Sequence, residues 1–305
     1  MSTHVSELPL DLVRTLLAVV DEGTFDAAAG VLHVTPSAVS QRVKALEQRV
    51  GRVLLIREKP VRPTESGEVI VRFARQLARL EHDAHTALGM TGSGEATRVS
   101  IAVNADSLAT WFLPALTRVP EELRPCYELR REDEQYTARL LREGLVMAAV
   151  TAAPDAVAGC SVRPLGRMRY LPVAAPAFAE RWLGRGSGRP LDEVIADAPV
   201  VFFDRRDEFQ DTFVRELTRG RPAGARRHYV PTSEGFVDAV AAGMGWGMVP
   251  AAQAGPLLAA GRLVDLAPEQ AVDAPLFWQQ WKLDSPALTA VAEAVAAEAA
   301  EALAP

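Results

Sequence analysis

Ser37, Ser40, Gln41 and Lys44 follow one another at spacings of three, one and three. Two hydroxyls, a carboxamide and an ammonium cannot activate one another for covalent chemistry. On one helical face they suit hydrogen bonding to base edges and phosphates in a DNA major groove. Thr35 and Pro36 stand just before them, and Arg42, Arg57 and Lys59 add cations nearby. From Thr35 to Arg62 there are seven Lys or Arg (Arg42, Lys44, Arg49, Arg52, Arg57, Lys59, Arg62) against Glu47 and Glu58 only. That local surplus, in a chain of net charge −6, is the electrostatic signature of phosphate contact.

The elements that must carry this face are legible around it. Phe25, Ala28, Ala29 and Leu32 recur at helical spacing, and His33-Val34-Thr35 interrupts the pattern. The Thr35 hydroxyl can cap the next helix, and Pro36 suits its first position, where no amide donor is needed. Val39, Val43, Leu46 and Val50 then form a buried stripe, with the polar set on or near the opposite side. This predicts a helix-turn-helix from about Phe25 to Lys44. An amphipathic helix built on Leu10, Val13, Leu16, Leu17 and Val20 precedes it, and a strand-like run from Arg52 to Arg57 with a hairpin tip follows. An ordinary helical hairpin with a solvated face is the bland alternative; the flanking helix, wing and charge argue against it.

From Glu65 to about Leu88 the pattern predicts one long helix, with Val69, Phe73, Leu77, Leu80 and Ala84 as an apolar seam. Thr91-Gly92-Ser93-Gly94-Glu95 reads as a linker. From Thr97 strands and helices alternate, which predicts parallel sheets with crossovers. Two such units, joined by two crossings, put a ligand cleft between hinged lobes, where strand ends and helix N-termini meet.

The second group of candidate residues sits at those strand ends. Ser107 and the first-turn amides beside it can hold a carboxylate, as can Ser233 in the Thr232-Ser233-Glu234 turn. Against them stand Glu132, Asp133 and Glu134 after one strand and Asp204 after another. An anion cradle among several carboxylates suits a ligand with one carboxylate and two ammonium groups, the distribution of a basic amino acid. The same side chains also read as helix caps, and the two roles can coexist.

Three motifs resemble the winged helix-turn-helix of LysR-type transcriptional regulators. They are Phe25-x-x-Ala28-Ala29-x-x-Leu32; Thr35-x-Ser37-Ala38-Val39-Ser40 with Lys44, Leu46 and Glu47; and Gly51-x-x-Leu54-Leu55-x-Arg57. Many members have Gln where this chain has Pro36, so a base contact from that position is not expected here. The strings VNADSLATWFLPAL, EDE, AVT, VVFFD and TSEGFV are similar to those of the ArgP/LysG branch. The resemblance implies an α+β protein: a winged helix-turn-helix over 1–64, a linker and dimerisation helix over 65–94, and a two-lobed α/β domain over 95–305. That domain is like periplasmic binding proteins, with lobe 1 at about 95–166 and 268–305 and lobe 2 at about 167–267.

By matching position the resemblance implies effector contacts from Ser107, Trp111, Glu132, Asp133, Thr151, Asp204, Ser233 and Glu234. Asp133 and Asp204 would take ammonium groups, while Ser107, Thr151 and Ser233 would bond the backbone end of the ligand. Trp278 and Trp281 are assigned to packing beneath the sheet. The implied partners are a pseudo-palindromic operator in double-stranded DNA, lysine or arginine as effector, a second copy of the chain (dimer or tetramer), and RNA polymerase. The implied role is control of an amino-acid exporter gene from the cytoplasm. An architectural DNA-binding protein of the same fold, without ligand control, is the alternative.

No run of eighteen apolar residues exists, so no membrane span is expected. The start MSTHVSELPLDLV lacks a basic segment followed by an apolar core, so no secretory leader is expected. Cys126 and Cys160 do not make a disulfide framework. His82 and His85 beside Glu81 and Asp83 are too loosely spaced for a metal site, and no cofactor motif occurs. Gly243-Met-Gly245-Trp-Gly247 lacks dinucleotide-binding spacing, and neither a nucleophile elbow nor a phosphate-binding Walker loop is present. An enzyme is therefore not expected.

Overall fold

The computed structural model describes residues 8–88, 98–132, 134–183 and 190–304. The first unit is helical. α1 (Leu10–Glu22), α2 (Phe25–Val31) and α3 (Pro36–Val50) are followed by a short hairpin, β1 (Leu55–Ile56) and β2 (Arg62–Pro63). Thr24 and Thr35 cap α2 and α3, their hydroxyls accepting from Ala27 N at 3.1 Å and Ala38 N at 3.2 Å. Between them His33 adopts φ 52°, and Val34 N donates to Ala29 O to close the turn. Val13, Leu16, Val39, Val43, Leu46 and Leu54 are fully buried in one core. The predicted strand from Arg52 to Arg57 contracts to Leu55–Ile56. Glu47 explains this, because its carboxylate accepts from Leu54 N at 2.9 Å and fixes the approach to the wing.

α4 (Glu65–Ala87) leaves this unit as the expected long helix. Ile70, Val71 and Ala74 bury against the helical core, whereas Val69 is 52% exposed, Phe73 37% and Leu80 44%. The arginines on α4 bind the neighbouring units. Arg75 pairs with Asp21 at 2.5 Å and also donates to the Glu143 carbonyl, and Arg79 donates to Arg98 O at 2.6 Å. The approach is close enough to require glycine at Gly144. Its φ is +71°, and a Cβ there would lie 3.2 Å from Arg72 Cα.

Beyond this, β3 (Arg98–Val103), α5 (Ala105–Ser107), α6 (Leu113–Thr117), β4 (Cys126–Arg131), α7 (Glu134–Arg142) and β5 (Ala148–Thr151) build the first lobe. A π turn over Leu108–Phe112 joins α5 to α6. β6 (Cys160–Ala174) then crosses to the second lobe. That lobe holds α8 (Pro176–Leu183), α9 (Leu191–Val194), β7 (Val200–Phe202), α10 (Phe209–Thr218), β8 (Arg227–Tyr229), α11 (Ser233–Ala241), β9 (Gly247–Pro250), α12 (Ala251–Ala259) and β10 (Val264–Asp265). β11 (Val272–Trp281) returns, and α13 (Pro286–Ala302) packs on lobe 1.

The expected parallel pairing holds for part of the sheet only. β3–β4, β3–β5 and β7–β8 are parallel, but β6 pairs antiparallel with β11, β9 and β10. The two crossing strands run side by side from Cys160↔Trp281 to Tyr170↔Val272. Past Tyr170, β6 exchanges β11 for β10 and pairs with β9 on its other edge. One continuous ladder thus serves both lobes, which is what a hinge of two strands requires. The first half of β6 was hidden by Pro164, Gly166 and exposed arginines. A bulge opposite Leu276/Phe277 leaves Leu165 as the extra, inward residue. α12 was masked by Gly255 and Pro256 inside it.

Candidate nucleic-acid interface and ligand cleft

On α3 the structure exposes Pro36, Ser37, Gln41 and Lys44, with Thr35 at the cap and Ser40 and Arg42 half-buried. Val39, Val43 and Leu46 on the opposite side are fully buried, so the helix cannot rotate its polar face away. Arg57 lies 3.5 Å from Glu47 and over the Phe25 ring at 5.6 Å. It therefore braces the wing as well as presenting charge. Ser40, Arg57 and Lys59 border one hollow between α2, α3 and the wing, about 310 Å³ in volume, together with Phe25 and Asp26. Small hydrogen-bonding side chains on a rigid helix, flanked by cations on a hairpin, fit a groove and its phosphate walls.

Between the lobes lies a cavity of about 470 Å³. Of the expected effector residues, Glu132, Asp204 and Ser233 line it. Ser107 and Thr151 are fully buried, Trp111 nearly so and Glu234 exposed, and these four are not part of the lining. Asp133 falls outside the described residues. Ser107 Oγ and Trp111 Nε1 are buried without a hydrogen-bond partner among the described residues. Thr151 Oγ1 accepts from Ala153 N, and Trp111 packs edge-on against Phe112. Trp278 and Trp281 are buried, Trp278 stacked on Phe112.

Asp204 lines the cleft with partners already in place. Its carboxylate accepts from Arg206 N at 2.6 Å and Asp207 N at 3.1 Å, and pairs with the Arg206 guanidinium at 3.2 Å. Burial alone would raise its pKa, but these bonds outweigh it and hold the group below the usual carboxylate range. Asp204 caps a turn with its counter-ion already in place. Asp207 likewise accepts from Phe203 N and Phe209 N, fixing the entry to α10.

Sequence reasoning missed Asp106, Arg131, Tyr170 and Arg206 in the lining. Asp106 accepts from Tyr170 OH at 2.8 Å and Ser233 Oγ at 2.6 Å, both on the opposite lobe. Burial raises its pKa; the Ser233 and Tyr170 bonds oppose that shift, and Glu234 adds to it. Arg131 reaches across to Pro231 O at 2.7 Å, and Arg206 lies over the Tyr136 ring at 4.6 Å. Asp106, Glu132, Asp204, Asp207 and Glu208 face the cavity against Arg131 and Arg206. Acidic side chains thus outnumber basic ones in the lining.

The model of bacterial regulatory helix-turn-helix proteins of the lysR family matches residues 10–68, and that of the LysR substrate binding domain matches residues 92–300. The chain belongs to the LysR family of transcriptional regulators. Among its relatives, the transcriptional regulator LysG of Mycobacterium tuberculosis is 48% identical over 94% of this chain and 92% of its own length. The lysine export transcriptional regulatory protein LysG of Corynebacterium glutamicum is 43% identical over 95% of this chain and 98% of its own. The full-length structure of that LysG with bound effector Arg superposes with a TM-score of 0.84 at 41% identity, covering 97% of this chain and 100% of the other. This LysR-type regulator thus belongs with the ArgP/LysG branch.

Two statements about the regulator hold among its described residues. No helix is long and apolar enough to cross a membrane. No group of three or more His, Cys, Asp or Glu could hold a metal ion. Cys126 is exposed and Cys160 buried, the latter with its thiol pushed up to about 11 by burial.

Proposed function

We propose that this regulator binds an operator as a homo-oligomer, that lysine or arginine in the interlobe cleft alters its output, and that its target is an amino-acid exporter gene. The observation that carries the reading is the cleft itself, with five carboxylates facing two arginines. Its size suits a single amino acid. The relative that holds Arg supports it, as does the relative named for lysine export.

In this reading Ser37, Ser40 and Gln41 read bases, while Arg42, Lys44, Arg57 and Lys59 meet phosphates. Thr35 and Pro36 position the helix. The exposed seam of Val69, Phe73 and Leu80 on α4 pairs with the same seam of a second copy, setting two reading heads on one two-fold site. Calorimetric titration against the twenty amino acids tests the ligand class. Heat and a thermal shift confined to lysine, arginine and their close analogues are expected. Binding of none of them, with operator binding intact, would leave an architectural DNA-binding protein instead.

A further inference from the structure

Among the carboxylates of the cleft, Asp106 stands apart. Asp204 is neutralised by Arg206, and Asp207 is committed to two backbone amides. Asp106 has no such partner: the groups that reach it are two neutral hydroxyls, Tyr170 OH and Ser233 Oγ. The charged neighbour that influences it is another carboxylate, Glu234. A carboxylate withdrawn from water between two lobes, held by hydroxyls alone, is a site that still lacks its cation.

We propose that Asp106 receives the α-ammonium of the amino-acid ligand, so that the zwitterionic head, rather than the side chain, fastens the lobes together. This rests on the reading of the cleft as a basic amino-acid site. Three features support it. Asp106 belongs to lobe 1, directly after β3, while both its hydroxyl partners belong to lobe 2. A group bound there therefore touches both lobes at once. Ser233, only 2.6 Å from Asp106, opens the nine-residue helix α11. Its first turn offers amides and a positive dipole end to an anion. The α-carboxylate and α-ammonium of an amino acid are attached to one carbon, so adjacent anion and cation receptors match that head. Finally, Glu208 also lies in the lining, where it can meet the cation at the far end of the ligand.

The test compares L-lysine with two analogues by calorimetry on the full-length chain. 6-Aminohexanoate lacks the α-ammonium, and L-norleucine lacks the side-chain ammonium. The wild type should prefer lysine to each analogue by about tenfold or more, the size of one charge-assisted hydrogen bond. Asp106→Asn should erase the preference over 6-aminohexanoate to within a few-fold while keeping the preference over norleucine. If Asp106→Asn does not fold, Asp106→Glu, which keeps the charge but displaces it, should shrink the same preference and leave the other. An unchanged lysine to 6-aminohexanoate ratio overturns the proposal. So does collapse of the norleucine ratio instead, which would place the side-chain cation on Asp106. A wild type that binds none of the three ligands, nor arginine, refutes the cleft reading itself.

Discussion

Replacing Lys44 with alanine should change how DNA binding depends on salt more than it changes anything else. Lys44 is exposed on α3, one turn beyond Ser40 and away from the buried stripe of Val39, Val43 and Leu46. Its removal leaves the helical core untouched. Two copies on one operator would lose two phosphate contacts. Each contributes about −0.9 to the slope of log affinity against log salt, so the variant slope should be shallower by about 1.8. Between about 50 and about 200 mM salt, the ratio of wild-type to variant affinity should therefore fall by about tenfold.

Fluorescence anisotropy on a labelled operator, repeated across salt concentrations, reads this directly. Arg57→Ala provides the contrast. Its guanidinium is held by Glu47 and by the Phe25 ring, and Glu47 in turn holds Leu54 N. Part of its loss should thus be independent of salt, coming from a loosened wing. A Lys44→Ala protein with the wild-type slope and an equal loss at every salt concentration would refute phosphate contact by that residue.

Other outcomes follow from single contacts. Gln41→Ala should flatten discrimination between operator variants with little change in salt slope, since base readers carry sequence preference; competition binding with mutated operators measures it. Asp211→Ala should destabilise the second lobe. Asp211 is 11% and Arg227 29% exposed, and they share two bonds of 2.9 Å. Breaking such a pair costs about 3–5 kcal/mol when fully buried. Arg227 keeps the Gly224 and Ala223 carbonyls, so about 2–3 kcal/mol is expected, about 5–10 °C in Tm by scanning calorimetry. Asp106 has its folded pKa raised above 3.8. The native state therefore binds more protons than the unfolded chain between the two pKa values, and this group's contribution is lost as pH rises through the folded value. In urea titrations without ligand, Asp106→Asn should gain stability over the wild type as pH rises from about 4 towards neutrality.

The reading helix was legible because its information is local. Apolar spacing, the Thr35 cap and Pro36 all lie within one turn of the face they define, and the structure reproduces their arrangement. The cleft was legible only as a set of strand ends. Residue types there announced acids and helix caps, but not which acid was already satisfied. The Asp204-Arg205-Arg206-Asp207 run did carry a clue, since opposite charges two places apart in a turn can pair within it. Asp106 offered no comparable local sign. Its partners lie 64 and 127 residues away and meet it only when β6 and α11 come together. The hinge strands were obscured for a related reason: Pro164, Gly166 and outward arginines made half of β6 look like a loop, though β11 pairs with it throughout.

The central claim is that a cationic amino acid in the cleft changes how the winged helices engage DNA. Anisotropy with the DNA upstream of its own gene, at moderate salt and with lysine, arginine or norleucine added, tests it most directly. Lysine or arginine should shift the operator affinity or the footprint length while norleucine leaves both unchanged. Identical binding curves and footprints under all three conditions would contradict the account.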